Sequence, residues 1–167
     1  LLRHLEGGRT PFAAPSGTSA EVATTQSQYV RSAIAEYEGE RASLTQQRAE
    51  KLAELASVDA EIAKLKQTLP IVEQQLAARR ELSEKGYFSK IRLLEYEQLK
   101  IEHLQNIVVQ QANAARARAT IADIDAQLAR LRGSFGKAAA TELAESQEKS
   151  GLAREEVTKS RRQIGRA

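Results

Sequence analysis

Apolar residues recur every three and four positions along most of this chain, which is the spacing of one face of an α-helix. Val30, Ile34, Tyr37 and Leu44 open the pattern, and Leu55, Val58, Ile62, Leu65, Leu69, Val72 and Leu76 carry it on as a heptad seam. Between the two runs Arg41, Arg48 and Lys51 fall at seam positions, and Leu52 lies one residue off. The seam there is expected to be loose, offset, or covered by the aliphatic stems of these side chains. Gly39 weakens the same stretch, costing about 1 kcal/mol relative to alanine in a helix. Pro70 sits inside the best part of the pattern, and the rhythm crosses it without a phase change. That predicts a kinked helix rather than a broken one.

The second half of the chain repeats less cleanly. Leu94, Ile101, Val108, Ala115 and Ala122 recur every seven residues, joined by Leu104. Past the alanine-rich stretch from Ala112 to Ala119, a different register follows: Ala114, Ala117, Ile121, Ile124, Leu128, Leu131 and Phe135. The reading is that the buried stripe changes face there, with small residues allowing close approach. Beyond Gly133 and Gly136, the spacing continues through Leu143, Ser146, Ser150, Ala153, Val157 and Ser160.

Between the two patterns lies Arg79-Arg80-Glu81-Leu82-Ser83-Glu84-Lys85-Gly86-Tyr87-Phe88-Ser89-Lys90. Leu82 is the last apolar residue of the rising pattern. Gly86 offers a positive φ at little cost just past a helix end. Ser89 can cap a new helix from Lys90 by accepting from its free N–H groups. A stop followed by a start at this distance predicts an αα-hairpin. The expected fold is therefore all-α, a long antiparallel two-helix coiled-coil hairpin preceded by a short helix and a Pro/Gly connector. The division is residues 1–8 as the end of an upstream helix, 9–18 as connector, 19–84 as the ascending helix and 85–89 as the tip. Residues 90–160 form the descending helix and 161–167 a basic end. Two arms of this polarity have nowhere to bury their stripes except against each other.

Composition narrows the class further. Aromatic residues make up 4% of the chain and charged residues 28%, with Ala, Leu, Glu, Gln, Lys and Arg dominant. A thick core needs large side chains, so a thin helical seam is expected. With no cysteine there is no disulfide framework and no thiolate chemistry. The net charge of +3 is too small to imply nucleic acid. The chain lacks an initiator methionine and opens inside an amphipathic pattern, which reads as a piece of a longer protein.

Catalytic and metal-binding constellations are not expected. His4 and His103 are the only histidines, and neither has a second ligand at metal spacing. His103 reads as a partly exposed neighbour of the seam. Asp59 with Glu61, and Asp123 with Asp125, are two apart and so point to different helix faces. A two-helix seam has no concave pocket of useful size. The reading is a non-enzyme without cofactor or metal. From Arg79 to Arg92, five basic residues (Arg79, Arg80, Lys85, Lys90, Arg92) face two acidic ones, and Tyr87 and Phe88 are adjacent aromatics. An apolar, basic tip is shaped for docking end-on, while the plain alternative is that the two aromatics close the hairpin's end.

At these residues the chain resembles the α-helical domain of HlyD-type periplasmic adaptors, the membrane fusion proteins of type I secretion. The resembling text is Thr68-Leu69-Pro70-Ile71-Val72, then Leu82 through Lys90, then Leu93-Leu94-Glu95-Tyr96-Glu97, with the opening Leu-Leu-Arg-His-Leu-Glu-Gly-Gly. The resemblance implies an inner-membrane-anchored periplasmic protein that bridges an ABC transporter and a TolC-like outer-membrane channel. It further implies a homo-hexamer, expected to join through polar faces, and a secreted protein as the substrate carried. It implies a tip pattern of arginine, leucine four later, and serine or threonine seven after that. Leu82 and Ser89 keep their spacing, but Ala78 stands where the arginine would be, and Arg79 is one residue nearer. Arg79 or Arg80 could supply the missing donor. The partner-binding set that the resemblance implies is Arg79, Arg80, Leu82, Gly86, Tyr87 and Ser89.

Three other readings compete. A small-molecule efflux adaptor would share the tip. An RNA-binding coiled-coil arm would want a basic stripe along one face, whereas acidic and basic residues alternate along both arms. A cytoskeletal or membrane-curving coiled coil would need a hydrophobic dimer face or a long basic concave face. Salt-dependent RNA binding and liposome binding would discriminate these two.

Overall fold

The computed structural model describes residues 17–165, so the expected upstream helix and the connector up to residue 16 lie outside it. Among the described residues there are two helices, α1 (Ala20–Glu84) and α2 (Lys90–Ile164), packed against each other as an antiparallel hairpin. No strand occurs among the described residues. Ser19 opens α1, its carbonyl accepting from the Ala23 N–H at 3.0 Å. Pro70 lies within α1, which runs on without interruption.

Contacts divide the hairpin into two units. The first comprises Thr45–Asp125 and includes the bend. Its seam on α1 is Arg48, Lys51, Leu55, Val58, Ile62, Leu65, Leu69, Val72 and Leu76, all buried or half-buried. Arg48 and Lys51 thus hold true seam positions, with their charged ends at the edge, while Leu52 faces solvent. On α2 the seam runs Leu93, Tyr96, Lys100, His103, Ile107, Gln110, Ala114, Ala117, Ile121 and Ile124. This corrects the expected register. Leu94, Ile101, Leu104 and Val108 are exposed, as are Ala115 and Ala122, and the stripe does not change face at the alanines. A single register instead runs from Leu93 to Ile124, and it takes in a lysine, a histidine and a glutamine.

Those polar seam residues are compatible with burial because each has somewhere to put its polar atoms. Lys100 reaches Glu73 at 2.9 Å. His103 Nε2 lies 2.7 Å from the Leu65 carbonyl oxygen and 2.9 Å from Thr68 Oγ1, so the histidine bridges the two helices. That is more than the partly exposed neighbour expected. Around the seam run Arg80–Glu97 at 2.7 Å, Arg118–Asp59 at 3.0 Å and Arg48–Asp125 at 2.6 Å. All are half-exposed, where such pairs contribute about 0–1 kcal/mol each, so they fix register more than they stabilise.

Among the described residues the second unit comprises 17–44 and 126–165. Tyr37 and Leu44 are buried on α1 and Ala139 on α2, with Leu128, Leu131 and Phe135 half-buried. The Tyr37 and Phe135 rings stack at 4.5 Å between centroids with 24° between planes. Val30 and Ile34 are half-buried, as the ascending pattern predicts. The positions expected to continue the descending stripe, from Leu143 to Ser160, are all exposed.

Candidate docking site at the hairpin tip

Helix α1 ends in a Schellman motif. The Tyr87 N–H donates to the Leu82 carbonyl at 2.8 Å, and the Gly86 N–H to the Ser83 carbonyl at 3.0 Å. Gly86 has φ +79°, the left-handed conformation that this motif requires and that other residues adopt at a cost. The carbonyls at the helix end are thereby satisfied within three residues, and the chain turns directly into α2. That helix opens at Ser89, whose carbonyl accepts from the Leu93 N–H at 3.0 Å. The Ser89 hydroxyl, expected to cap the helix, makes no hydrogen bond among the described residues. It is exposed and available to a partner.

The end of the hairpin is closed by three side chains. Phe88 is half-buried and lies 6.2 Å from the Tyr96 ring in a tilted arrangement. The Arg79 guanidinium carbon stands 3.9 Å from the centroid of the Tyr96 ring, and its Nη1 donates to the Gln75 carbonyl at 3.1 Å. Ser83, and not Leu82, occupies the last seam position and is buried. The two aromatics that the sequence offers as equivalent thus divide, with Phe88 turned in and Tyr87 80% exposed. Leu82 stands outside the seam, 45% exposed.

The six residues expected to bind a partner therefore separate into three groups. Leu82, Tyr87 and Ser89 face outward. Gly86 shapes the turn that places them. Arg79 is engaged inside the hairpin on Tyr96, while Arg80 is exposed and pairs with Glu97 at the surface. Sequence reasoning passed over Ile91, which is exposed on the first turn of α2, and Tyr96, the platform under Arg79. The spacing Ile91, Leu94 carried the signal, since residues three and four apart share a helix face. Among the described residues no group of His, Cys, Asp or Glu could hold a metal ion. No helix among them is long and apolar enough to cross a membrane.

The fold and the tip define a class, a long helical hairpin with Leu82, Tyr87 and Ile91 exposed at its bend. A family model described as AprE, long alpha-helical hairpin, matches residues 8–163. The chain belongs to that family, the hairpin of AprE-type, HlyD-like adaptors, and a general role in secretion follows from the membership. No curated protein and no solved structure matches it.

Proposed function

We propose that this hairpin is the periplasmic arm of a type I secretion adaptor. The adaptor bridges an inner-membrane ABC transporter and a TolC-like outer-membrane channel, and the tip docks on the channel. The observation that carries this reading is the division of labour at the bend. Arg79, Phe88 and Tyr96 close the end from inside, so Leu82, Tyr87 and the unengaged Ser89 hydroxyl are left facing out. Exposed leucine and tyrosine beside a free hydroxyl make a small apolar anchor with a polar contact, the composition of a contact centre. The mechanism is positional. Leu82 and Tyr87 bury apolar surface against the channel, Ser89 bonds partner backbone, and Gly86 holds them in place. The reading assigns the chain no catalysis and no cofactor.

Capture of a TolC-like channel by the immobilised chain tests the proposal. The intact chain captures it, Leu82→Asp abolishes capture with helical content unchanged, and Ser89→Ala weakens it. Capture that survives Leu82→Asp at full strength, or an intact folded chain that captures nothing, would overturn it.

A further inference from the structure

Between α1 and α2, the unit of residues 17–44 and 126–165 holds an open groove of about 740 Å³. Its lining runs from Tyr29 to Glu40 on α1, about three helical turns, and from Leu131 to Glu145 on α2. Tyr29, Tyr37 and Phe135 give it an aromatic floor, and Ala33 and Ala138 keep it wide. Tyr29 stays 52% exposed there. The rim is acidic, with four carboxylates against one lysine, Lys137. Glu145 has Lys149 at 4.0 Å, whereas Glu36, Glu40 and Glu142 have no ion-pair partner among the described residues.

A segment of this chain has the matching chemistry and lies within reach. Residues 1–16 fall outside the described structure, and their sequence reads as the end of a helix followed by a Pro/Gly connector. Leu1, Leu2 and Leu5 are three and four apart and share one face of that helix. Phe12 adds an aromatic ring, and Arg3 and Arg9 outnumber Glu6, so the segment is basic where the rim is acidic. The chain enters at Gly17 with φ +91°, a left-handed turn just before α1 begins at Ala20. Such a turn lets the preceding residues fold back along the hairpin. Tyr29 lies about 14 Å along α1 from its start. The connector residues 9–16 span up to about 28 Å, which brings the leucine face over the groove.

We propose that residues 1–16 dock into this groove, with Leu1, Leu2, Leu5 and Phe12 on the aromatic floor and Arg3 and Arg9 against Glu36, Glu40 and Glu142. Leucine on exposed tyrosine and phenylalanine buries apolar surface from both sides. The cations meet carboxylates that no other described side chain pairs, in charge-assisted hydrogen bonds. Because the segment is tethered, occupancy is intramolecular, at an effective concentration on the order of mM, and a weak site is filled. The segment is thereby fastened to both helices of the hairpin rather than joined only to the start of α1. The groove and the tip lie in different units and use different residues, so neither reading rests on the other.

The chain has no native cysteine, so single introduced thiols report on the groove. Ala138→Cys lies on its lining, and Ala140→Cys is an exposed control outside it. In the otherwise intact chain a maleimide labels the first roughly tenfold more slowly than the second. Leu2→Asp/Leu5→Asp removes that difference while circular dichroism holds. Arg3→Glu/Arg9→Glu weakens the protection, and Glu36→Lys/Glu40→Lys added to that chain restores it. Equal labelling of the two thiols in the intact chain overturns the proposal. So does protection that survives Leu2→Asp/Leu5→Asp, or that appears only as chain concentration rises, because the cover is then something other than this segment. No channel takes part in the measurement, so failure here is distinct from failure of tip docking.

Discussion

The Arg79 guanidinium carbon stands 3.9 Å from the ring centroid of Tyr96, which places this arginine inside the hairpin. A cation over an aromatic face contributes about 0.5–2 kcal/mol, depending on how dry the site is. Arg79 is half-buried, so the lower half of that range applies. Arg79→Ala is expected to destabilise the hairpin by about 1 kcal/mol, and in a double-mutant cycle with Tyr96→Ala the losses are less than additive. Urea unfolding measures both. Channel capture by Arg79→Ala falls far less than by Leu82→Asp, because the side chain is not presented to a partner.

Glycines at two places respond with opposite signs. At Gly86 a Cβ would meet nothing within 4 Å, so the cost of substitution is purely that of holding φ +79°. Gly86→Ala is expected to lose about 1 kcal/mol. Gly39 is helical, and a Cβ there also meets nothing within 4 Å. Gly39→Ala is expected to gain about 0.5–1 kcal/mol. Equal signs in thermal unfolding of the two variants would contradict this assignment.

The stacked pair Tyr37 and Phe135 is the only aromatic contact described in its unit, where the remaining buried side chains are smaller. Phe135→Ala removes a half-buried ring and the stack together. A loss of about 2–3 kcal/mol is expected, while Phe135→Leu recovers more than half of it. Chemical denaturation reads the difference.

Lys51 holds a seam position, but its ammonium is paired at 2.6 Å with Glu54 on its own helix. It therefore adds no bond across the seam. Lys51→Leu is expected to stabilise the chain by about 1 kcal/mol through added apolar burial. Arg48→Leu gains less, since that change also gives up the 2.6 Å contact with Asp125 on α2. Midpoints in urea for the two variants order them.

Much of this could be read from the sequence, and where reading failed the reason is physical. The α1 seam was legible from Leu44 to Leu76 because its three-four spacing is unbroken there, even through Arg48 and Lys51, whereas Arg41, also expected in the seam, is exposed. The bend was legible because Gly86 and Ser89 are local signals that act within a few residues. The face of α2 near the tip was not. Leu94, Ile101 and Val108 form a more apolar heptad than Lys100, His103 and Gln110, so ranking stripes by hydrophobicity selects the wrong one. The six tip residues were likewise legible as a cluster, but not the direction each one faces.

By itself, then, the sequence determined two helices, where they break, and that each must be buried along a stripe, because periodicity and backbone preference are properties of short segments. Only the tertiary structure decided which stripe of α2 meets α1. That choice is settled jointly by the partner surface, by carbonyls and carboxylates placed to receive His103 and Lys100, and by cross-seam pairs such as Asp59–Arg118. The same choice turned Arg79 inward and left Leu82, Tyr87, Ile91 and Val108 outside.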